Sequence, residues 1–269
     1  TGVGPHRDLA LHGQQPQGCC TVTGLPSGRF ADESGHGTHV AGVIGGNGAL
    51  KSLAPGVTLR AYRVFGEAAS GATNYAILKA MMQAARDGCD IINLSIGGGP
   101  PDPGVAEAIQ DARNHGMLVI IAAGNDGKPF VSFPAAHENA IAVAALGRRG
   151  TFPAQSAAAT AVRATPASTL DANEFVAAFS NTGERIDVIA PGVGIVSTLP
   201  GNRYGALSGT SMAAPVVAGV AACLLSQDRA LFAQPRDRAR SDALERKLFA
   251  SCVKRGFGDA FEGKGLPCA

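Results

Sequence analysis

The chain has 269 residues, 45% of them hydrophobic, 36 glycines and a formal net charge of +2, which is enough to bury one core and predicts a single domain over 1–269. So mild a charge, with Lys and Arg scattered rather than gathered in a stripe, argues against a nucleic-acid partner. No apolar run reaches the roughly 18 residues of a membrane span: the most apolar stretch, 212–225, is interrupted by Pro215 and Gly219 and reads as a buried helix.

In chain order, a helix is predicted to open within Ser34-Gly35-His36-Gly37-Thr38-His39-Val40-Ala41-Gly42, after a polar, Gly-rich loop. Short, nearly continuous apolar runs follow at 58–65, 90–96, 117–123, 140–146 and 187–190, the pattern of strands covered on both faces. Helical patterns at 74–86 and 104–115 lie between them, followed by Gly88 and Gly116 as helix ends often are. The order predicts an α/β fold of three layers, a doubly wound, mostly parallel sheet with helices on both faces. In such sheets the chemistry sits at the carboxyl ends of the strands. Residues 148–178, rich in Ala, Thr, Pro and Ser, read as a surface insertion.

Three segments carry candidate chemistry. His36 and His39, at i and i+3, taken alone read as structural, and Gly37 stands where a zinc-protease helix needs Glu. Ser211, in Gly209-Thr210-Ser211-Met212-Ala213-Ala214-Pro215, where Pro215 is tolerated because it is expected in the first turn of the helix, taken alone reads as a helix cap, but a nucleophile favours the same place, because a helix N-terminus stabilises developing negative charge. Asn125, in Ala122-Ala123-Gly124-Asn125-Asp126-Gly127, reads locally as a turn residue whose amide is able to donate to an oxyanion.

Together, in the order His, Asn, Ser, these segments resemble the subtilisin-like serine proteases. Asn93-Leu94-Ser95-Ile96-Gly97-Gly98 is similar to the family's substrate-binding strand, Phe179-Ser180-Asn181-Thr182-Gly183 and Ala190-Pro191-Gly192 to a later block, and residues 261–266 to its closing strand. The resemblance implies a serine endopeptidase acting on extended polypeptides, with Ser211 as nucleophile, His36 as general base, and Asn125 with the Ser211 backbone N–H as oxyanion donors. It implies that Ser95-Ile96-Gly97 and Ser70-Gly71-Ala72 pair with substrate from either side. The primary pocket would lie between Ile96-Gly97 and Ala122-Ala123-Gly124 with Ser132 near its base, uncharged and suited to apolar or bulky P1 residues within a broad specificity. No cofactor is required for that chemistry.

The chain also departs from the family. The loop Gly46-Asn47-Gly48-Ala49-Leu50 is short and offers few oxygen ligands for the structural calcium often found there. Thr1-Gly2-Val3, followed by His6, Asp8 and Leu9, resembles the segment just after the catalytic aspartate, so that aspartate and its strand are expected immediately before Thr1, in upstream residues or in a separate N-terminal chain or propeptide. Asp8 and Asp32 are the nearby carboxylates, and neither is expected to reach the imidazole. The six cysteines lack metal-type spacing; Cys252 and Cys268 flank the terminal segment and are expected to form a disulfide, which favours a secreted or periplasmic location. Two further readings stay open: a pseudoprotease that binds peptides without cleaving them, and a peptide ligase or cyclase of the same family.

Overall fold

A computed structural model describes residues 2–66 and 71–269. The strands are β1 (Gln17–Cys20), β2 (Arg60–Arg63), β3 (Ile91–Leu94), β4 (Leu118–Ala122), β5 (Ile141–Arg148), β6 (Glu174–Val176), β7 (Val188–Pro191), β8 (Ile195–Leu199), β9 (Arg203–Leu207), β10 (Cys252–Val253) and β11 (Leu266–Pro267). The helices are α1 (His36–Gly45), α2 (Asn74–Arg86), α3 (Pro103–Asn114), α4 (Thr210–Gln227), α5 (Arg229–Phe232), α6 (Arg238–Ala250) and α7 (Asp259–Glu262).

β4 shows why the sheet has three layers. All five of its residues are buried. Leu118, Ile120 and Ala122 pack into a core shared with α4 and α6, whereas Val119 and Ile121 pack into a second core shared with α2 and α3. Alternate side chains therefore serve opposite apolar layers, and each fully buried Leu or Ile contributes about 1.5–3 kcal/mol. β3, β4, β5 and β7 run parallel, and β6 pairs antiparallel with the end of β5. The expected doubly wound arrangement holds. β1 and β2 form a parallel pair of their own, so β2 and β3 belong to different sheets among the described residues.

The helix expected at 74–86 coincides with α2, whose Thr73 hydroxyl accepts the Ala76 N–H. α3 starts one residue earlier than expected, because the Asp102 carboxylate caps it at the Val105 N–H, 2.9 Å. α4 is 18 residues long with a mean hydropathy of 1.4, enough by composition to cross a membrane, yet 67% of it is buried inside the fold. Residues 261–266 are not one strand: Phe261 and Glu262 finish α7, because the buried Glu262 carboxylate gathers the N–H groups of Phe257 and Gly258. Leu266–Pro267 pairs with β10, and Gly263 bridges Val188 of β7.

Residues 148–178 are not surface throughout. β6 is buried at all three positions, and Glu174 makes a bidentate pair with Arg255 at 2.8 and 2.6 Å. All six cysteines are free thiols, so the Cys252–Cys268 bridge is not formed; Cys252 Sγ donates to Leu248 O instead. Burial pushes the Cys252 thiol up to about 11.

Candidate active site

His36 is the first residue of α1, and Gly35 turns the chain into the helix at φ +83°. The entry is fixed by the buried Asp32, which the sequence offered only as a triad substitute. Its Oδ1 accepts the N–H groups of Ser34 and Gly35, and its Oδ2 accepts the N–H and hydroxyl of Thr38 at 2.7 and 2.6 Å. Asp32 therefore clamps the first turn of α1. Burial lowers the pKa of His36, and the Asp32 charge partly offsets that. His39, fully buried, directs Nε2 at the carbonyls of Ile195 and Gly205 and ties α1 to β8 and β9, a structural role.

Ser211 is the second residue of α4, which packs against α1. Pro215 was expected in the first turn but stands at the sixth helical position, inside the second. Asn125, exposed after β4, places its Oδ1 2.8 Å from both the N–H and the hydroxyl of Thr210. With the oxygen held, Nδ2 is the atom left to donate. A point where a side-chain carbon at Gly209 would sit lies 3.6 Å from Asn125 Nδ2 and 3.7 Å from the Ser211 nitrogen, so the glycine leaves open a space on which both donors border. Thr210 was missed in the sequence because its bond to Asn125 spans 85 residues.

Ser95 follows β3 and meets Ser211 directly: Ser95 Oγ donates to the Ser211 carbonyl at 2.8 Å, and Ser211 Oγ donates to the Ser95 carbonyl at 3.3 Å. Gly97 stands against Ala122 and Gly124, a carbon at its β position lying 3.7 Å from the Ala122 carbonyl. Asn181 Nδ2 bonds both the Ala123 carbonyl and Ser132 Oγ, setting Ser132 beside Gly124. Of the opposite expected edge, Ser70 lies outside the described residues; Gly71 is exposed and Ala72 bridges Phe65. An adjoining cleft of about 840 Å³ runs past Gly98, Ser132 and Phe133. Asp102, Asp126, Lys128 and Glu138 also line it, so the uncharged pocket expected from sequence continues into a charged one.

The residues present do not fit a calcium ion in the 46–50 turn. The buried Asp8 carboxylate there accepts the Leu50 N–H at 2.9 Å and the Tyr204 hydroxyl at 2.8 Å, donors that would oppose a cation. Gly48 approaches so closely that any side chain would strike Asp8 Oδ1. Among the described residues no group of three or more His, Cys, Asp or Glu could hold a metal.

Fold and site together define a doubly wound α/β domain with a serine-centred site of subtilisin type. Residues 22–250 match the model of the subtilase family, Peptidase_S8, and the chain belongs to that family. It is similar to M-protease of Shouchella clausii (strain KSM-K16), 38% identical over 225 residues, covering 82% of this chain and 51% of that protein. It is also similar to Subtilisin Savinase of Lederbergia lenta, 37% identical over 82% of this chain and 72% of that protein, and to Subtilisin DY of Bacillus licheniformis, 35% identical over 99% and 85%. The chain thus spans about half the length of M-protease and more of the other two. Among solved structures, the prenylagaramide maturation protease PagA is similar with a TM-score of 0.73 and 26% identity, covering 99% of this chain and 88% of that one.

Proposed function

We propose that the protein is a serine endopeptidase that hydrolyses extended polypeptides through an acyl-enzyme. His36 takes the proton from Ser211 Oγ, which attacks the scissile carbonyl. Asn125 Nδ2 and the Ser211 N–H hold the resulting oxyanion, His36 returns the proton to the leaving amine, and water then releases the acyl group. The observation that carries this reading is the Asn125 amide, turned by Thr210 so that its N–H group and that of Ser211 border one open space. In this reading the chemistry requires no cofactor.

An aspartate immediately upstream of Thr1 completes the site in this reading. Two observations support it: Gly4 N–H donates to Thr38 Oγ1 at 2.9 Å, which sets Gly4 against the first turn of α1, and β2 and β3, successive in the chain, stand in separate sheets among the described residues. Asp8 and Asp32 are committed to the contacts described above. The strand comes from upstream residues or from a separate chain or propeptide. Substrate lies along Ser95-Ile96-Gly97 on one side and Ser70-Gly71-Ala72 on the other. Its P1 side chain is apolar or bulky and enters between Ile96-Gly97 and Ala122-Ala123-Gly124 toward Ser132. We place the protein outside the cytoplasm, secreted or periplasmic, on its likeness to the subtilisins.

The test is labelling by a fluorophosphonate probe alongside cleavage of an unstructured protein. Labelling mapped to Ser211 with cleavage supports the reading; labelling without cleavage indicates the peptide-binding pseudoprotease. The ligase or cyclase reading draws on likeness to a maturation protease, and mass spectrometry of products from a defined peptide separates joined from hydrolysed ends.

A further inference from the structure

The peptide carbonyl of Ser211 has lost its helical partner. In an α-helix that oxygen accepts the N–H four residues on, and at that position stands Pro215, which has none. Ser95 Oγ supplies the missing donor at 2.8 Å. Ser95 Oγ itself accepts Asn93 Nδ2 at 2.9 Å, which leaves the hydroxyl hydrogen committed to the Ser211 carbonyl. Asn93 Oδ1, buried, has no partner among the described residues, so the amide is held through its nitrogen alone. The side chain of Ser211 is gripped by the same residue, its Oγ donating to the Ser95 carbonyl.

We propose that Asn93 and Ser95 are positioning residues for the nucleophile. A relay from the Asn93 amide through the Ser95 hydroxyl to the Ser211 carbonyl holds the first turn of α4, and with it the direction of Ser211 Oγ and of the Ser211 N–H. The proline creates the need for the relay, and β3 meets it from the adjoining sheet. The proposal rests on Ser211 being the nucleophile.

The experiment compares Asn93→Ala, Ser95→Ala, the double variant and Asn93→Asp in the full chain, read by kcat and KM on a peptide substrate and by the rate of fluorophosphonate labelling, well below the Tm of every variant. Each alanine variant is expected to lose about tenfold in kcat and labelling rate, the worth of one hydrogen bond, at nearly constant KM. The double variant is expected to be no slower than Ser95→Ala alone, because Asn93 acts only through Ser95. Asn93→Asp is expected to be slower than Asn93→Ala, since a carboxylate draws the Ser95 hydrogen away from Ser211. Wild-type rates in Asn93→Ala, or additive losses in the double variant, overturn the relay. If Ser211→Ala is still labelled at the same site, the nucleophile assignment falls and the relay with it; if it is inert while the relay variants keep full rates, only the relay falls.

Discussion

Asn125 Oδ1 accepts two hydrogen bonds from one residue, the N–H and the hydroxyl of Thr210, both at 2.8 Å. The amide is thus oriented before any substrate binds, which is what transition-state stabilisation requires. Asn125→Ala is expected to lower kcat about 10²–10³-fold with little change in KM. Thr210→Val keeps the N–H and loses only the hydroxyl, so its loss is expected to be about tenfold. Steady-state kinetics on one peptide decide: a Thr210→Val as slow as Asn125→Ala would mean the hydroxyl does more than orient the amide.

Ser211→Ala is expected to abolish turnover and probe labelling while leaving Tm nearly unchanged, because alanine suits a helical position and the hydroxyl's bond to the Ser95 carbonyl is long, 3.3 Å. Residual proteolysis by the purified variant would remove Ser211 from the mechanism.

Burial lowers the pKa of His36 below its ordinary 6.5, and only the neutral ring accepts the serine proton. Activity of residues 1–269 is therefore expected to rise with pH through a midpoint below 6.5 and then level off. An upstream aspartate would stabilise the imidazolium and move that midpoint upward. His39 is also shifted down by burial, so in acid the unfolded chain binds more protons than the folded one. Stability is accordingly present above about 6.5 and is lost as pH falls through the folded values. Rate profiles and melting curves from pH 4 to 8 check both signs; a Tm that rises on acidification would reverse the assignment.

The aspartate that orients the histidine in a Ser-His-Asp triad is worth roughly 10⁴ in turnover. Residues 1–269 alone are expected to cleave an unstructured protein more slowly by about that factor than the same chain extended upstream. Equal rates would show that another group orients His36.

Arg255→Ala removes both charged hydrogen bonds from the buried Glu174, and a loss of about 2–3 kcal/mol is expected, seen as a Tm lower by several degrees. An unchanged Tm would assign the anchoring of Glu174 to Arg148, 3.5 Å away.

The central strands and α2 were legible in the sequence because two-sided burial leaves continuous apolar runs and because Gly88 marks the end of the helical pattern. β8 and β9 were not: Arg203, Ala206 and Leu207 are exposed, and no apolar run marks them. The site was legible as three segments, but their chemistry was not legible in any one of them. Asn125 looks like a turn residue until Thr210 is folded against it, and Asp32 looks like a stray carboxylate until it is seen gathering the donors at the start of α1. Pro215 was read as harmless at a helix entrance; its actual position one turn deeper orphans a carbonyl, which no local pattern announces.

A chain is open to proteolysis where a segment is slack enough to be drawn into an extended binding edge. The Glu174–Arg255 pair joins positions 81 apart, and Ser168 Oγ, donating to the Arg255 carbonyl, and the Thr169 N–H, donating to the Gly256 carbonyl, add two more stitches along the same seam. Residues 168–174 and the C-terminal stretch are thereby sewn to each other, which hinders drawing either out as a single strand. On the proposed activity, the seam is expected to slow self-digestion.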